Sequence, residues 1–170
     1  MSGMQYTACF TGHRPQSLPY GFDETHPACV KIKHQLRRLI VELIEKKNVV
    51  HFISGAALGV DTWAAEIVIE LKDEYSNITL EAAVPCRSQA DRWNSAAKER
   101  YNRLLSLCDK VTLISEQYTA DCMMKRNRYM VGNSNYLVAV WNGKPSGTGN
   151  TVKYAMENGK EVYYIDTVGL

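Results

Sequence analysis

The chain has 170 residues, 45% of them hydrophobic and 22% charged, with a formal net charge of +2, which fits one globular domain over residues 1–170 with a sizeable core. So small a charge gives no argument for a nucleic-acid or membrane partner by bulk electrostatics. Five scattered cysteines without a C-x-x-C pair, histidines without ligand spacing, and the absence of an apolar run near ~18 residues predict neither a disulfide framework, a metal site nor a membrane span.

In chain order, Gln5 to Thr11 reads as a short strand entered without a signal-type apolar region, and a long loop runs from Gly12 to Pro27. Ile32, Leu36, Leu39, Ile40, Leu43 and Ile44 form the stripe of a helix over 28–46. Val49 to Ile53 is the second strand. The small-residue turn Ser54-Gly55-Ala56-Ala57-Leu58-Gly59 leads into a second helix with Val60, Trp63, Ala64, Ile67 and Leu71 on one face. A third strand, Ile78 to Val84, is ended by Pro85, and a helix over roughly 94–107 follows. Lys110 to Ile114 is the fourth strand, Asp121 to Val131 a helix, and Tyr136 to Trp141 a strand apolar enough to be buried on both faces. A Gly-rich turn from Asn142 to Gly149 precedes a short helix, Asn150 to Asn158. Gly159 stops it, and Glu161 to Ile165 is the last strand.

This alternation predicts an α/β fold: Rossmann-like and doubly wound, with a mostly parallel sheet of about six strands and helices on both faces. Ligands of such sheets bind outside the carboxyl ends of the strands. The loops to watch are therefore 12–20, 54–60, 85–93, 115–120 and 142–149.

Four of those loops carry chemistry. In the first, Thr11-Gly12-His13-Arg14 combines a tight turn with a guanidinium suited to phosphate and an imidazole able to move protons near neutral pH. In the second, Ser54, Gly55 and Gly59 form a cradle that opens a helix, where backbone N–H groups and the helix dipole favour an anion. Asp61 either faces that dipole or accepts from a ribose hydroxyl, and Glu66 reads as a helix-surface residue unless the fold turns it inward. In the last, Ser146-Gly147-Thr148-Gly149 makes a second cradle that lacks the Walker arrangement. Pro85, Gln89 and Trp93 sit in the loop between them. There an amide and an indole could hold a base, or Trp93 could anchor the loop on the sheet. Arg126 or Arg128, near Asn127, is placed to reach a phosphate.

Phe10-Thr11-Gly12-His13-Arg14, Ser54 to Asp61, Arg126-Asn127-Arg128 and Ser146-Gly147-Thr148 together resemble the SLOG superfamily. The Thr-Gly-His-Arg-Pro start and the Gln89…Trp93 pair are most similar to its YpsA-like branch. The resemblance runs from Tyr6 to Asp166. It implies a nucleotide or nucleotide-derived ligand at these loops, no required cofactor, and a regulatory role with a protein partner or homo-oligomer as further expectations. It also separates the chain from the phosphoribohydrolases of the superfamily, which carry a glutamate three residues after the threonine of the last turn, where this sequence has Thr151. Enzymatic activity is therefore not carried over. An N-glycosidic or phosphoribosyl hydrolase remains the alternative, with Asp61, Glu66 or His13 as its acid or base. Single-stranded nucleic-acid binding is a further alternative, disfavoured because the sequence shows no basic–aromatic groove.

Overall fold

In the computed structural model, which describes residues 3–167, six strands alternate with five α-helices. They are β1 (Tyr6–Gly12), α1 (Pro27–Lys47), β2 (Val49–Ser54), α2 (Val60–Leu71), β3 (Thr79–Cys86) and α3 (Ser95–Leu107), then β4 (Lys110–Ser115), α4 (Cys122–Gly132), β5 (Tyr136–Trp141), α5 (Gly147–Glu157) and β6 (Glu161–Asp166). The sheet order is β4-β3-β2-β1-β5-β6, and every neighbouring pair is parallel. From β1 the chain winds outward through β2, β3 and β4, then crosses back to place β5 on the other side of β1. The strand order therefore reverses at β1 and β5.

Period-two alternation feeds two separate cores. Ala8 and Phe10, Phe52, Leu80 and Ala82, and Val138 and Val140 point to the face covered by α1, α2 and α3. Cys9, Ile53, Ala83, and Leu137 and Ala139 point to the face under α4 and α5. Phe10 and Phe52 stack across β1 and β2 with ring centroids 6.0 Å apart. Pro85 does not end β3. Because β2 pairs with β3 only as far as Ser54↔Ala82, Pro85 stands beyond the last β2 partner and its missing N–H costs no bond there.

The largest departure from the sequence pattern is at α5. It begins at Gly147, three residues before the expected Asn150, because Ser146 adopts an extended conformation and its hydroxyl accepts from the Gly149 N–H at 3.1 Å. Gly147, Thr148 and Gly149 are thus the first turn of a helix, not a loop. Among the described residues no helix is long and apolar enough to cross a membrane.

α2 approaches the end of β1 so closely that Gly12 has no room for a side chain: a Cβ there would lie 2.6 Å from Val60 Cβ. Gly12→Ala is expected to cost about 1–3 kcal/mol through overpacking, and pairing it with Val60→Ala should restore part of the loss. Denaturant midpoints check this, and an unchanged midpoint for Gly12→Ala would contradict the close approach.

Candidate functional site

The reversal of strand order at β1 and β5 opens a crevice at the carboxyl edge of the sheet, the place where open α/β sheets hold ligands. A cavity of about 230 Å³ occupies it. Its walls come from the end of β1 and the turn beyond (Thr11, Gly12, His13, Arg14), the start of α2 (Asp61), α4 (Arg126, Asn127) and the start of α5 (Ser146, Gly147, Thr148). The structure thus brings ten of the residues singled out in the sequence to one cavity. Two helix N-termini meet there, each contributing N–H groups and the positive end of a dipole.

Arg126 is the organising side chain. It is 3% exposed, and its Nη1 donates to the Gly55 carbonyl at 2.7 Å and to the Ala83 carbonyl at 3.4 Å. Its Nε donates to Asn127 Oδ1 at 2.9 Å. Asp61, also buried, accepts from the Ala57 N–H at 3.4 Å. The two close over Gly55: a Cβ on that residue would lie 2.6 Å from Arg126 Nη1 and 2.7 Å from Asp61 Oδ2. Burial pushes the Asp61 carboxyl up, and the Arg126 guanidinium, the Ala57 N–H and Arg14 oppose this. Burial pushes Arg126 down, with Asp61 opposing and Arg14 adding to the effect.

Arg14 and Arg126 converge on one weak acceptor. The Nη2 of each donates to the Met123 sulfur at 3.7 Å. Among the described residues neither guanidinium forms a direct ion pair with a carboxylate. The cavity therefore holds two cations, one carboxyl and two helix N-termini, a surplus of positive potential that suits an oxyanion. Among the described residues no group of three or more His, Cys, Asp or Glu is placed to hold a metal ion.

His13 ties the two sides of the crevice together. Its Nε2 accepts from the Asn142 N–H at 3.2 Å, so the neutral ring carries its proton on Nδ1. Burial pushes its pKa down, against an opposing contribution from Asn142.

Other expected residues lie outside the cavity lining. Ser54 is a buried brace that donates to the Asp61 carbonyl at 2.8 Å and accepts from the Ala56 N–H at 3.2 Å. Gly55 lies beneath Asp61 and Arg126. Gly59 caps α2 at a φ of 88°, a conformation open to glycine, with Pro15 and the His13 carbonyl against it. Pro85 is a buried residue of β3. Gln89 and Trp93 line a neighbouring groove, with the Gln89 amide nitrogen 3.3 Å from the Gly55 carbonyl. Glu66 faces away and shares Arg100 with Glu24, at 2.6 Å and 2.7 Å. Held in that ion-pair network, it does not line the cavity. Thr151 donates to the Gly147 carbonyl at 3.1 Å within α5.

Sequence reasoning missed Met123 and Met130, which line the cavity beside Arg126 and Asn127. The signal was there in the spacing: positions 123, 126, 127 and 130 fall on one face of a helix.

The family described as YspA SLOG matches residues 8–170 of this chain. The SPbeta prophage-derived protein YoqJ of Bacillus subtilis (strain 168) is 34% identical over 142 residues, covering 76% of this chain and 83% of that protein. A UPF0398 protein of Bacillus pumilus (strain SAFR-032) is 32% identical over 140 residues, covering 81% and 74%. Among solved structures, DNA processing protein A from Streptococcus pneumoniae matches with a TM-score of 0.63 at 17% identity over 94% of this chain. DNA processing protein A from Helicobacter pylori, described for its single-stranded DNA binding mode, matches with a TM-score of 0.63 at 18% identity over 94% of this chain. This chain spans 50% and 64% of those two chains, and at such identity the likeness is one of fold.

The His13 bond gives a pH signature. A histidine whose folded pKa lies below its unfolded value of about 6.5 contributes stability that is present above that value and lost as the pH falls through the folded one. Unfolding free energies measured between about pH 8 and about pH 5 should fall more for the wild type than for His13→Gln, which keeps an acceptor but does not titrate. Identical profiles would contradict the neutral, accepting imidazole. Glu24 does not confuse the window: although burial alone would raise it, Arg100 and Lys33 hold its carboxyl down at about 2.

Proposed function

The chain belongs to the YspA SLOG family, and from that footing we propose that it binds a nucleotide or nucleotide-derived ligand in the crevice between β1 and β5, as a cytoplasmic regulatory or sensing protein. The observation that carries this reading is the convergence of Arg14 and Arg126 on the Met123 sulfur in a cavity bounded by the N-termini of α2 and α5. Among the described residues the Nη2 of each guanidinium donates only to this shared thioether, a weak acceptor. A phosphate would accept from both, and from the N–H groups of Gly147 and Thr148. Asp61, held beside Arg126, is placed to accept from a ribose hydroxyl.

A second reading is single-stranded DNA binding. It is favoured by the fold shared with the Helicobacter pylori protein and by the open groove next to the cavity, where Arg92, Trp93 and Tyr118 stand together. The modest net charge weighs against it.

A thermal-shift series with AMP, ADP-ribose, NAD, ATP and GTP, followed by chromatography of each mixture, tests both. At least one nucleotide should raise the melting temperature and be recovered intact. Arg14→Ala, which removes an exposed side chain, should weaken that binding about 10–100-fold, the worth of a charge-assisted hydrogen bond, without lowering the melting temperature of the free protein. No shift with any compound, alongside steeply salt-dependent binding of an oligothymidylate, would move the reading to DNA. Release of free base would make the protein a hydrolase, and loss of that release in Asp61→Asn would identify its acid.

A further inference from the structure

The crevice cavity is small for a whole nucleotide. Its volume of about 230 Å³ falls below the roughly 300–1,000 Å³ typical of small-molecule sites. A nucleotide that seats its phosphate there must run out of it. Two grooves adjoin the cavity. One of about 530 Å³ lies beyond Leu58, toward α3, and one of about 590 Å³ lies beyond Met123, at the carboxyl ends of β3 and β4.

The second groove holds an unmet hydrogen-bonding demand. Gln89 donates from its amide nitrogen to the Gly55 carbonyl and its side chain also meets the Tyr101 hydroxyl, yet among the described residues its Oε1 is buried without a hydrogen-bond partner. A buried acceptor left without a donor is destabilising, and such an atom in a native site calls for a missing partner. The Gly55 carbonyl that anchors Gln89 also anchors Arg126, so one backbone atom fixes both the cavity and the groove. Met123 lines both and is the partition between them, an unbranched side chain that adapts readily. Trp93, edge-on to Tyr101 with centroids 5.2 Å apart, and Tyr118, 67% exposed, offer aromatic surface in the same groove.

Resting on the reading of the cavity as a phosphate site, we propose that the groove beyond Met123 is the base subsite of the same ligand. Gln89 Oε1 accepts a hydrogen bond from an amino group on the base, which selects amino-bearing bases, and Trp93 and Tyr118 supply stacking surface. A site built to meet a hydrogen-bonding group rejects analogues that lack it, because its own buried atom is then left unpaired.

Isothermal titration calorimetry with AMP, purine riboside 5′-monophosphate (AMP without its amino group) and ribose 5-phosphate tests this. All three should bind the wild type, with AMP at least tenfold tighter than either of the others. In Gln89→Leu the advantage of AMP over the purine riboside should disappear. The wild-type comparison stands even if the variant does not fold. Equal binding of AMP and ribose 5-phosphate overturns the base subsite and leaves the phosphate cavity intact. An AMP preference that survives in a folded Gln89→Leu overturns the role of Gln89. Absence of binding by all three overturns the cavity reading itself, and the base subsite with it.

Discussion

The site depends on a guanidinium that cannot reach bulk water. With Arg126 3% exposed, desolvation would be prohibitive without fixed partners. Those partners are two backbone carbonyls from different places: Gly55 in the turn after β2 and Ala83 in β3. The side chain therefore stitches α4 to the turn and to the sheet. Asp61, reaching over the same glycine, supplies the opposing charge. Any side chain at Gly55 would occupy the space in which these two groups come together.

From that stitch the rest of the crevice follows. Among the described residues Arg126 keeps one nitrogen, Nη2, with only a sulfur to bond, and Arg14 arrives at the same sulfur from the end of β1. The doubly wound order places the starts of α2 and α5 on either side of β1 and β5, so backbone N–H groups line the space that these cations face. His13, bridging from the β1 turn to Asn142, holds the two sides at a fixed separation. The crevice is thus assembled from side chains that satisfy the backbone first and retain a residual capacity for an anion.

The fold was legible because each strand carries its own period and each helix its own stripe. β5 was read to the residue, and the six strands and five helices appear where apolar spacing put them. Boundaries failed where a single side-chain bond decides them. The pattern gave Gly147 to Gly149 to a loop because glycine disfavours helix, and only the Ser146 cap reverses this. All-parallel pairing was likewise beyond a pattern that fixed the sheet only as mostly parallel. In the site, Thr11 to Arg14, Asp61, Arg126 and Ser146 to Thr148 were visible because charge and small residues stand out at strand ends. Ser54 and Gly59 stand out equally, yet they brace the turn, since what distinguishes a brace from a ligand contact is whether its hydrogen bonds are already spent. Glu66 reads in the sequence as a helix-surface residue, distinct from Asp61, but its partner Arg100 is not legible there because it lies 34 residues away. Membership in the YspA SLOG family agrees with the resemblance read from those same loops.

On the proposed reading an anion sits between Arg14, Arg126 and the N-termini of α2 and α5. Backbone amide chemical shifts recorded during titration with ribose 5-phosphate test it most directly. The shifts should concentrate at Arg14, Asp61, Gly147 and Thr148 and saturate together with one affinity. Shifts confined to other surfaces, or none at concentrations that saturate ordinary phosphate sites, would contradict it.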